Sequence, residues 1–319
     1  MERRTEIIEL TTGQIDAVVA AHLPGESARE FWLLSGGRAN TNYAIETVTH
    51  GEGFRLRVLR LHVREPKTCS KEIALAAMLT DVPMPRVLGH GDVAGHPYTL
   101  TEHASGQTLQ YFATAGRVPP SAARNIGRVL AHIRRHEFDA SGDLQGDDGK
   151  LRVVDWGFGD NALEGFVRRC LFESPAGERL GAASRDRLWQ VMEPRLTAPT
   201  APARLTHGDF NPSNLLIDAA GEVTGVLDWE FAHAGDPIAD VANLLRPRAD
   251  YSLPDGFAEG LVSGLADEGV TLPVDWREQA AFTDLGSALE FLSSPEDKPR
   301  THAAAIRQIE RYLADYPNG

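Results

Sequence analysis

In the decapeptide HGDFNPSNLL, residues 207–216, Asp209 and Asn214 stand just ahead of an apolar run. Two short oxygen-bearing side chains so placed either keep a bend polar or hold fixed positions beside a cation and a reacting hydroxyl. Asp, Asn, Ser and Pro all form turns well, so NPS alone needs nothing beyond turn chemistry. Its surroundings ask for more. LLI and VTGVL flank the turn DAAG, a hairpin pattern whose second strand runs into Asp228 in GVLDWE. A hairpin returns its strand ends to one place, which predicts Asn214 and Asp228 around one small volume, with Asp209 on the loop beside them. Two carboxylates and an amide oxygen suit a hard divalent cation such as Mg2+, which prefers oxygen donors and keeps several waters.

The chain that must position these groups has 319 residues, 42% hydrophobic and 24% charged. That is an ordinary globular composition, with enough length for one large domain or two lobes. The formal net charge of -13 argues against nucleic acid or an anionic membrane as partner. An acidic surface suits a cationic acceptor better, although most such surfaces serve solubility. Cys69 and Cys170 are isolated, without metal-ligand spacing, and are expected to be reduced. The charged start MERRTEIIELTTG is followed by no signal-peptide core, and no apolar run is long enough for a bilayer, so the expected compartment is the cytosol.

An α+β succession opens the chain. TTGQIDAVVAAHL begins with Thr11 and carries Gln14 at the capping-box offset, which predicts a helix burying Ile15, Val18, Val19 and Leu23. FWLLSGGRANTNYAIETV reads as two β-prone runs about a Ser-Gly-Gly turn. In GFRLRVLRLHV, alternation puts Leu56, Val58 and Arg60 on one side of a strand and Arg57, Leu59 and Leu61 on the other. A helix over SKEIALAAMLT and a strand over HPYTLTEHA complete a small lobe, residues 1–103. Residues 104–319 are expected to be mostly helical: SAARNIGRVLAHIRRH, with Ser121 as cap, SRDRLWQVMEPRL and THAAAIRQIERYLADY each show one apolar face. The Gly- and Asp-rich stretch 138–150 reads as a loop, and TAPTAPA at 197–203 as a linker.

The segment LTHGDFNPSNLLIDAAGEVTGVLDWEFAHAGDPIADVANLL resembles the catalytic segment of the aminoglycoside phosphotransferase and choline kinase-like superfamily. Those are small-molecule kinases with the two-lobed fold of protein kinases. HGD, then Asn, then DWE, then GDPxxDxA stand in order and at family-like spacing. The resemblance implies Asp209 as the catalytic aspartate, orienting the acceptor hydroxyl and taking its proton, and Asn214 and Asp228 as holders of the magnesium ions that bridge the phosphates of ATP or GTP. His207 would brace the loop; Asp236 and Asp240 would anchor backbone and cap the next helix.

In the first lobe the resemblance assigns the nucleotide site. Ser35, Gly36 and Gly37 in LSGGRANTNY would form the phosphate-covering turn, although a plain hairpin turn fits those residues equally well. Arg60 would contact the α- and β-phosphates and Glu72 would pair with it from a helix. Arg57 is the rival for that contact, on the expectation that the two arginines share a strand face. Backbone groups between Glu102 and Ala104 would hydrogen-bond the base.

His132 and His136 stand four apart on an expected helix but have no third metal ligand, and an exposed face explains them. Asp139, Asp143, Asp147, Asp148, Asp155 and Asp160 form an acidic stretch that either solvates a loop or meets amino groups of a substrate. The expected activity is O-phosphorylation of a small molecule, an antibiotic such as an aminoglycoside or a metabolite such as an amino alcohol, homoserine or a sugar derivative. An inactive kinase-like binding protein would usually have lost one of the three polar residues. A protein kinase would need an activation loop, for which the short DWEFAHAGDPIAD leaves no room.

Overall fold

The computed structural model describes residues 6–34, 40–49, 53–157, 162–196 and 202–316. Thr11 and Gln14 close the expected capping box: Thr11 N donates to Gln14 Oε1 at 2.9 Å, and Gln14 N to Thr11 Oγ1 at 3.4 Å. Helix α1 (Thr12–His22) follows and buries Ile15, Val18 and Val19. They pack with Tyr43, Ile45, Leu59, Leu61 and Leu100, which belong to an antiparallel sheet of β1 (Glu26–Leu33), β2 (Thr41–Thr49), β3 (Phe54–Leu61), β4 (Val87–Val93) and β5 (His96–Glu102), in the order β1-β2-β3-β5-β4. Helix α2 (Thr68–Met78) lies between β3 and β4 in the chain. Leu75, with Leu79 and Val82 beyond the helix end, packs into the larger core of the second half.

Strand β3 settles the rivalry between its arginines. Arg57, Leu59 and Leu61 are buried while Leu56, Val58 and Arg60 are half-buried, an alternation that places residues an odd number apart on opposite faces. Arg57 and Arg60 therefore do not share a face, contrary to the expectation. Arg57 donates to Glu26 Oε1 at 2.8 Å within the sheet. Arg60 turns the other way, towards α2 and the hairpin of the second half.

The second half begins with β6 (Gln107–Thr108) and α3 (Leu109–Thr114), then α4 (Ala122–Ile133). Ser121 does not cap α4; its Oγ donates to Ala220 O at 2.5 Å. The acidic stretch expected as a loop is a hairpin instead, β7 (Gly142–Asp147) and β8 (Lys150–Val154), turning at Asp148 and Gly149, an Asp-Gly pair suited to positive φ. Asp143 accepts from the buried Lys71 of α2 at 3.2 Å. Helices α5 (Ala162–Glu173), α6 (Pro175–Leu180) and α7 (Ala182–Leu196) precede β9 (Arg204–Thr206), the hairpin β10 (Leu215–Ile217) and β11 (Val223–Val226), and β12 (His233–Gly235). The chain ends through α8 (Ile238–Leu245), α9 (Phe257–Asp267), α10 (Trp276–Ser293) and α11 (Pro299–Asp315).

Two small sheets position the segment that carries Asp209, Asn214 and Asp228. One has the order β11-β10-β6, the other β8-β7-β12-β9. Helix α4 lies so close to α9 that a Cβ on Gly264 would meet Arg124 O at 1.9 Å, which fixes glycine there. Of the two discounted histidines, only His132 lies on α4; His136 is beyond its end. His132 Nδ1 lies 3.0 Å from Asp81 O, an interaction within the fold. Cys69 and Cys170 are free and buried, and burial pushes the Cys69 thiol up to about 12.

Candidate active site

The loop between β9 and β10 is built on His207. Its backbone N–H donates to Asp240 Oδ2 at 2.8 Å, and that of Gly208 to Asp240 Oδ1 at 3.0 Å. Its Nδ1 accepts from Asp209 N at 3.2 Å, so the ring proton sits on Nε2 and is donated to Leu227 O at 3.0 Å. The imidazole thus links this loop to the end of β11, and Trp229 lies against it with ring centroids 4.5 Å apart. Burial pulls its pKa below the ordinary histidine value, which keeps it neutral. Gly208 has φ +78°, and a Cβ there would meet Phe231 O at 2.3 Å, so no other residue fits.

Asp240 is fully buried and holds those two N–H groups; burial pushes its carboxyl up to about 7. Asp236 accepts from Ile238 N at 3.0 Å at the start of α8. Both aspartates anchor backbone, as expected, but the N-cap of α8 is Pro237 and Asp240 lies inside the helix, so the expected cap is not formed.

Asp209 is surrounded by amides. Asn214 Nδ2 donates to Asp209 Oδ2 and to Asp209 O, both at 2.9 Å, and this orients Asn214 Oδ1 away from Asp209. Asn211 Nδ2 donates to Asp209 Oδ1 at 2.7 Å and Asn243 Nδ2, from α8, to the same oxygen at 3.4 Å. The sequence reading missed Asn211 and Asn243. Asn211 lies within the motif two residues from Asp209, a signal that was available; Asn243 is an ordinary polar position on a mostly apolar helix.

The hairpin brings its ends together. Leu215 pairs with Val226, and Leu227 N donates to Asn214 O at 2.9 Å, which places Asn214 and Asp228 on adjacent strand ends. Asp228 has φ 67° and ψ 65°, a left-handed backbone that few residues other than glycine adopt. Its Oδ1 accepts from Arg60 Nη2 at 2.6 Å. Burial works against the charged form of Asp228, yet the charge and hydrogen bond of Arg60 hold its pKa below the usual carboxylate range.

The same Arg60 nitrogen lies 3.3 Å from Glu72 Oε1 of α2, an ion pair without hydrogen-bond alignment. Burial pushes Glu72 up to about 7, against the attraction of Arg60. Beside Arg60, the buried His62 contacts Thr68 Oγ1 at 3.0 Å, and burial pulls its pKa down to about 3, so it adds no competing charge.

At the end of β5, Glu102 N donates to Arg86 O at 3.0 Å and His103 N to Leu56 O at 3.2 Å. Those two N–H groups are spent inside the fold. The side chain of Glu102 pairs with Arg86 at 2.7 Å. Ala104 lies against β11, where a Cβ on Gly225 would touch its own Cβ at 3.2 Å. The turn of Ser35, Gly36 and Gly37 lies outside the described residues.

The donor set fits magnesium. Among the described residues no three His, Cys, Asp or Glu side chains converge as a metal cluster. Asn214 Oδ1 and the Asp228 carboxylate instead supply two oxygens on adjacent strand ends, the sparse protein share typical of an ion that keeps waters and binds phosphates.

The chain resembles solved phosphotransferases over nearly its whole length. A thermostable mutant of aminoglycoside phosphotransferase APH(4)-Ia, solved as a ternary complex with ADP and hygromycin B, superposes with a TM-score of 0.69 at 18% identity, covering 95% of this chain and 98% of that one. Macrolide 2'-phosphotransferase MphH from Brachybacterium faecium gives 0.61 at 20% identity, covering 92% and 97%. At these identities the likeness shows the fold: an antiparallel-sheet region followed by a helical one, the kinase-like α+β architecture. Acyl-CoA dehydrogenase family member 10 of Mus musculus is 31% identical over 250 residues, 74% of this chain. The match spans only 21% of that protein's length. Residues 31–282 match the model of the APH phosphotransferase enzyme family, most of the chain and all of the site above, and the chain belongs to that family.

Proposed function

We propose that the protein transfers the γ-phosphoryl group of ATP or GTP to a hydroxyl of a small molecule. Residues 1–103 serve as the nucleotide lobe and residues 104–319 as the lobe of catalysis and acceptor binding. The observation that carries this reading is the convergence of Arg60, Glu72 and Asp228 from three separate elements, beside Asn214 and Asp209. No helix among the described residues is long and apolar enough to cross a membrane, in keeping with action in the cytoplasm.

Phosphoryl transfer needs positioning and charge neutralisation more than covalent chemistry. Asp209, held between Asn211, Asn214 and Asn243, receives the acceptor hydroxyl and takes its proton as the new oxygen–phosphorus bond forms and the bond to the β-phosphate oxygen breaks. Arg60, steadied by Glu72, lies against the α- and β-phosphates. Asn214 and Asp228 would hold magnesium, which when bound neutralises the phosphate oxygens. The Ala104 backbone meets the base, and Ser35, Gly36 and Gly37 are assigned to the phosphates on the family resemblance. Glu102 contributes backbone only, and its N–H is already taken by Arg86 O.

Antibiotic and metabolic acceptors both remain in view. The structural neighbours act on antibiotics by name, whereas the mouse relative, of which the match spans 21%, is named for acyl-CoA chemistry. A coupled ADP- or GDP-release screen with ATP and GTP against aminoglycosides, macrolides, amino alcohols, homoserine, sugar derivatives and hydroxylated acyl compounds tests the reading. Acceptor-dependent release that needs magnesium is the expected result. Failure of the protein to bind either nucleotide would refute it.

A further inference from the structure

Beyond α8 the chain carries two arginines in RPR, Arg246 and Arg248, and their surroundings differ. Arg246 is matched by Asp284 of α10: its Nε lies 2.9 Å from both carboxylate oxygens, and Gln308 Nε2 donates to Asp284 Oδ2 at 2.6 Å. Arg248 makes no ion pair of its own among the described residues, and the charges of Asp284 and Asp209 act on it only from further away. Its one hydrogen bond there runs from Nη2 to Asn243 Oδ1 at 3.4 Å, and its buried Nε meets no acceptor.

The same Asn243 donates to Asp209 Oδ1 at 3.4 Å. A single amide side chain therefore separates an unmatched guanidinium from the carboxylate that receives the acceptor. Asp209 turns Oδ2 towards Asn214, and Oδ1 towards Asn211 at 2.7 Å and, more distantly, Asn243 at 3.4 Å. Arg248 and Asp209 thus share Asn243 as a common partner.

A buried guanidinium nitrogen without an acceptor is costly in a folded protein and calls for an explanation. Burial, and after it the charge of Arg246, pull the pKa of Arg248 below the ordinary arginine value. An oxyanion supplies the close countercharge that Arg248 lacks, since a guanidinium group matches a carboxylate or phosphate edge in two parallel hydrogen bonds.

We propose that Arg248 recognises an oxyanion on the acceptor, a carboxylate or phosphate a short spacer away from the hydroxyl that Asp209 receives. The proposal rests on the phosphotransferase reading above and narrows its acceptor class to hydroxy acids or phosphorylated alcohols. A polycationic acceptor would set an ammonium group against Arg248. The overall charge of -13 is spread over the whole chain and does not describe this spot.

Four probes on one skeleton test it: glycerate, glycerol phosphate, glyceramide and aminopropanediol. Their binding to the full chain, saturated with magnesium and a non-hydrolysable ATP analogue, is measured by ligand-observed NMR. One of the two anions should bind at least about ten-fold more tightly than the amide, and the amine should bind weakest. Whichever anion binds better identifies the source of the oxyanion. Arg248→Met should erase the preference without lowering the melting temperature, because it removes an unsatisfied buried nitrogen. Arg248→Lys, which keeps the charge and loses the fork, should retain part of it. Equal or undetectable binding of all four probes, a preference for the amine, or an anion preference that survives Arg248→Met overturns the proposal. Nucleotide affinity is read on the same samples: its absence refutes the phosphotransferase reading, whereas intact nucleotide affinity without anion preference refutes only the role of Arg248.

Discussion

Arg60 and Asp228, 168 residues apart in the chain, are joined by a hydrogen bond of 2.6 Å, and the nitrogen that makes it also lies 3.3 Å from Glu72. One guanidinium group thus ties β3, α2 and the catalytic hairpin together. Arg60→Ala should raise the KM for the nucleotide by an order of magnitude or more, and Glu72→Ala should do so by a similar route. The double variant should be little worse than either single change, because the two act as a unit. Steady-state kinetics on the three variants reads this directly; additive losses would separate the pair.

Arg57 should behave differently. Its side chain is 7% exposed and pairs at 2.8 Å with Glu26, itself 9% exposed. Arg57→Ala leaves a buried carboxylate without its main partner and should cost about 3 kcal/mol of stability. The KM for nucleotide should stay within a few-fold of wild type. Denaturant unfolding and kinetics on one preparation check both halves.

Asp209→Asn preserves size and keeps one carbonyl oxygen for the surrounding amides but removes the proton acceptor. Turnover should fall by about two to four orders of magnitude while nucleotide affinity changes little. Rapid-quench measurement of the phosphorylated acceptor, with calorimetry for the nucleotide, tests the split. Turnover within a few-fold of wild type would remove Asp209 from its role.

Asp228→Ala takes away one of the two oxygen donors at the strand ends and frees Arg60 from its partner. Magnesium-dependent nucleotide binding should be lost, while binding measured in EDTA should change far less. Calorimetry with and without the metal gives the comparison. Unchanged affinity for the magnesium complex would place the metal elsewhere.

Asp240 offers a test by pH. Its carboxyl is pushed up to about 7 in the folded chain from an ordinary 3.8. The folded state therefore binds its proton more tightly than the unfolded chain, and the stability this contributes is complete below about pH 4. It is lost as pH rises through 7. In thermal melts between pH 4 and 8, the melting temperature of the wild type should fall relative to Asp240→Asn as pH increases. Parallel curves would show that Asp240 does not titrate in this range.

The catalytic hairpin was legible because its partners are close in sequence. Turn residues at 218–221 set the register, and the register brings Asn214 beside Asp228. The capping box at Thr11 and Gln14 was equally local. Legibility failed where a partner lies far along the chain or where composition misleads. Asn243 looks like any polar helix residue until α8 is packed beside the loop of Asp209. The stretch 142–154 is rich in Gly and Asp, which suggests a loop, yet Leu144, Leu151 and Val153 alternate with polar residues, and the Asp-Gly turn closes them into a hairpin. Counting Arg57 and Arg60 onto one face was an error of parity that alternation itself forbids.

The left-handed backbone at Asp228 acts as a sieve on which amino acids the position can accept. Glycine passes the conformational requirement but brings no oxygen. Glutamate brings the charge, yet its longer chain lacks the local hydrogen bonding that eases asparagine and aspartate into this region. Asparagine passes on shape and loses the charge that answers Arg60. Two independent constraints, one on the main chain and one on the side chain, intersect at aspartate alone, so a chemically conservative exchange here is as disruptive as a radical one.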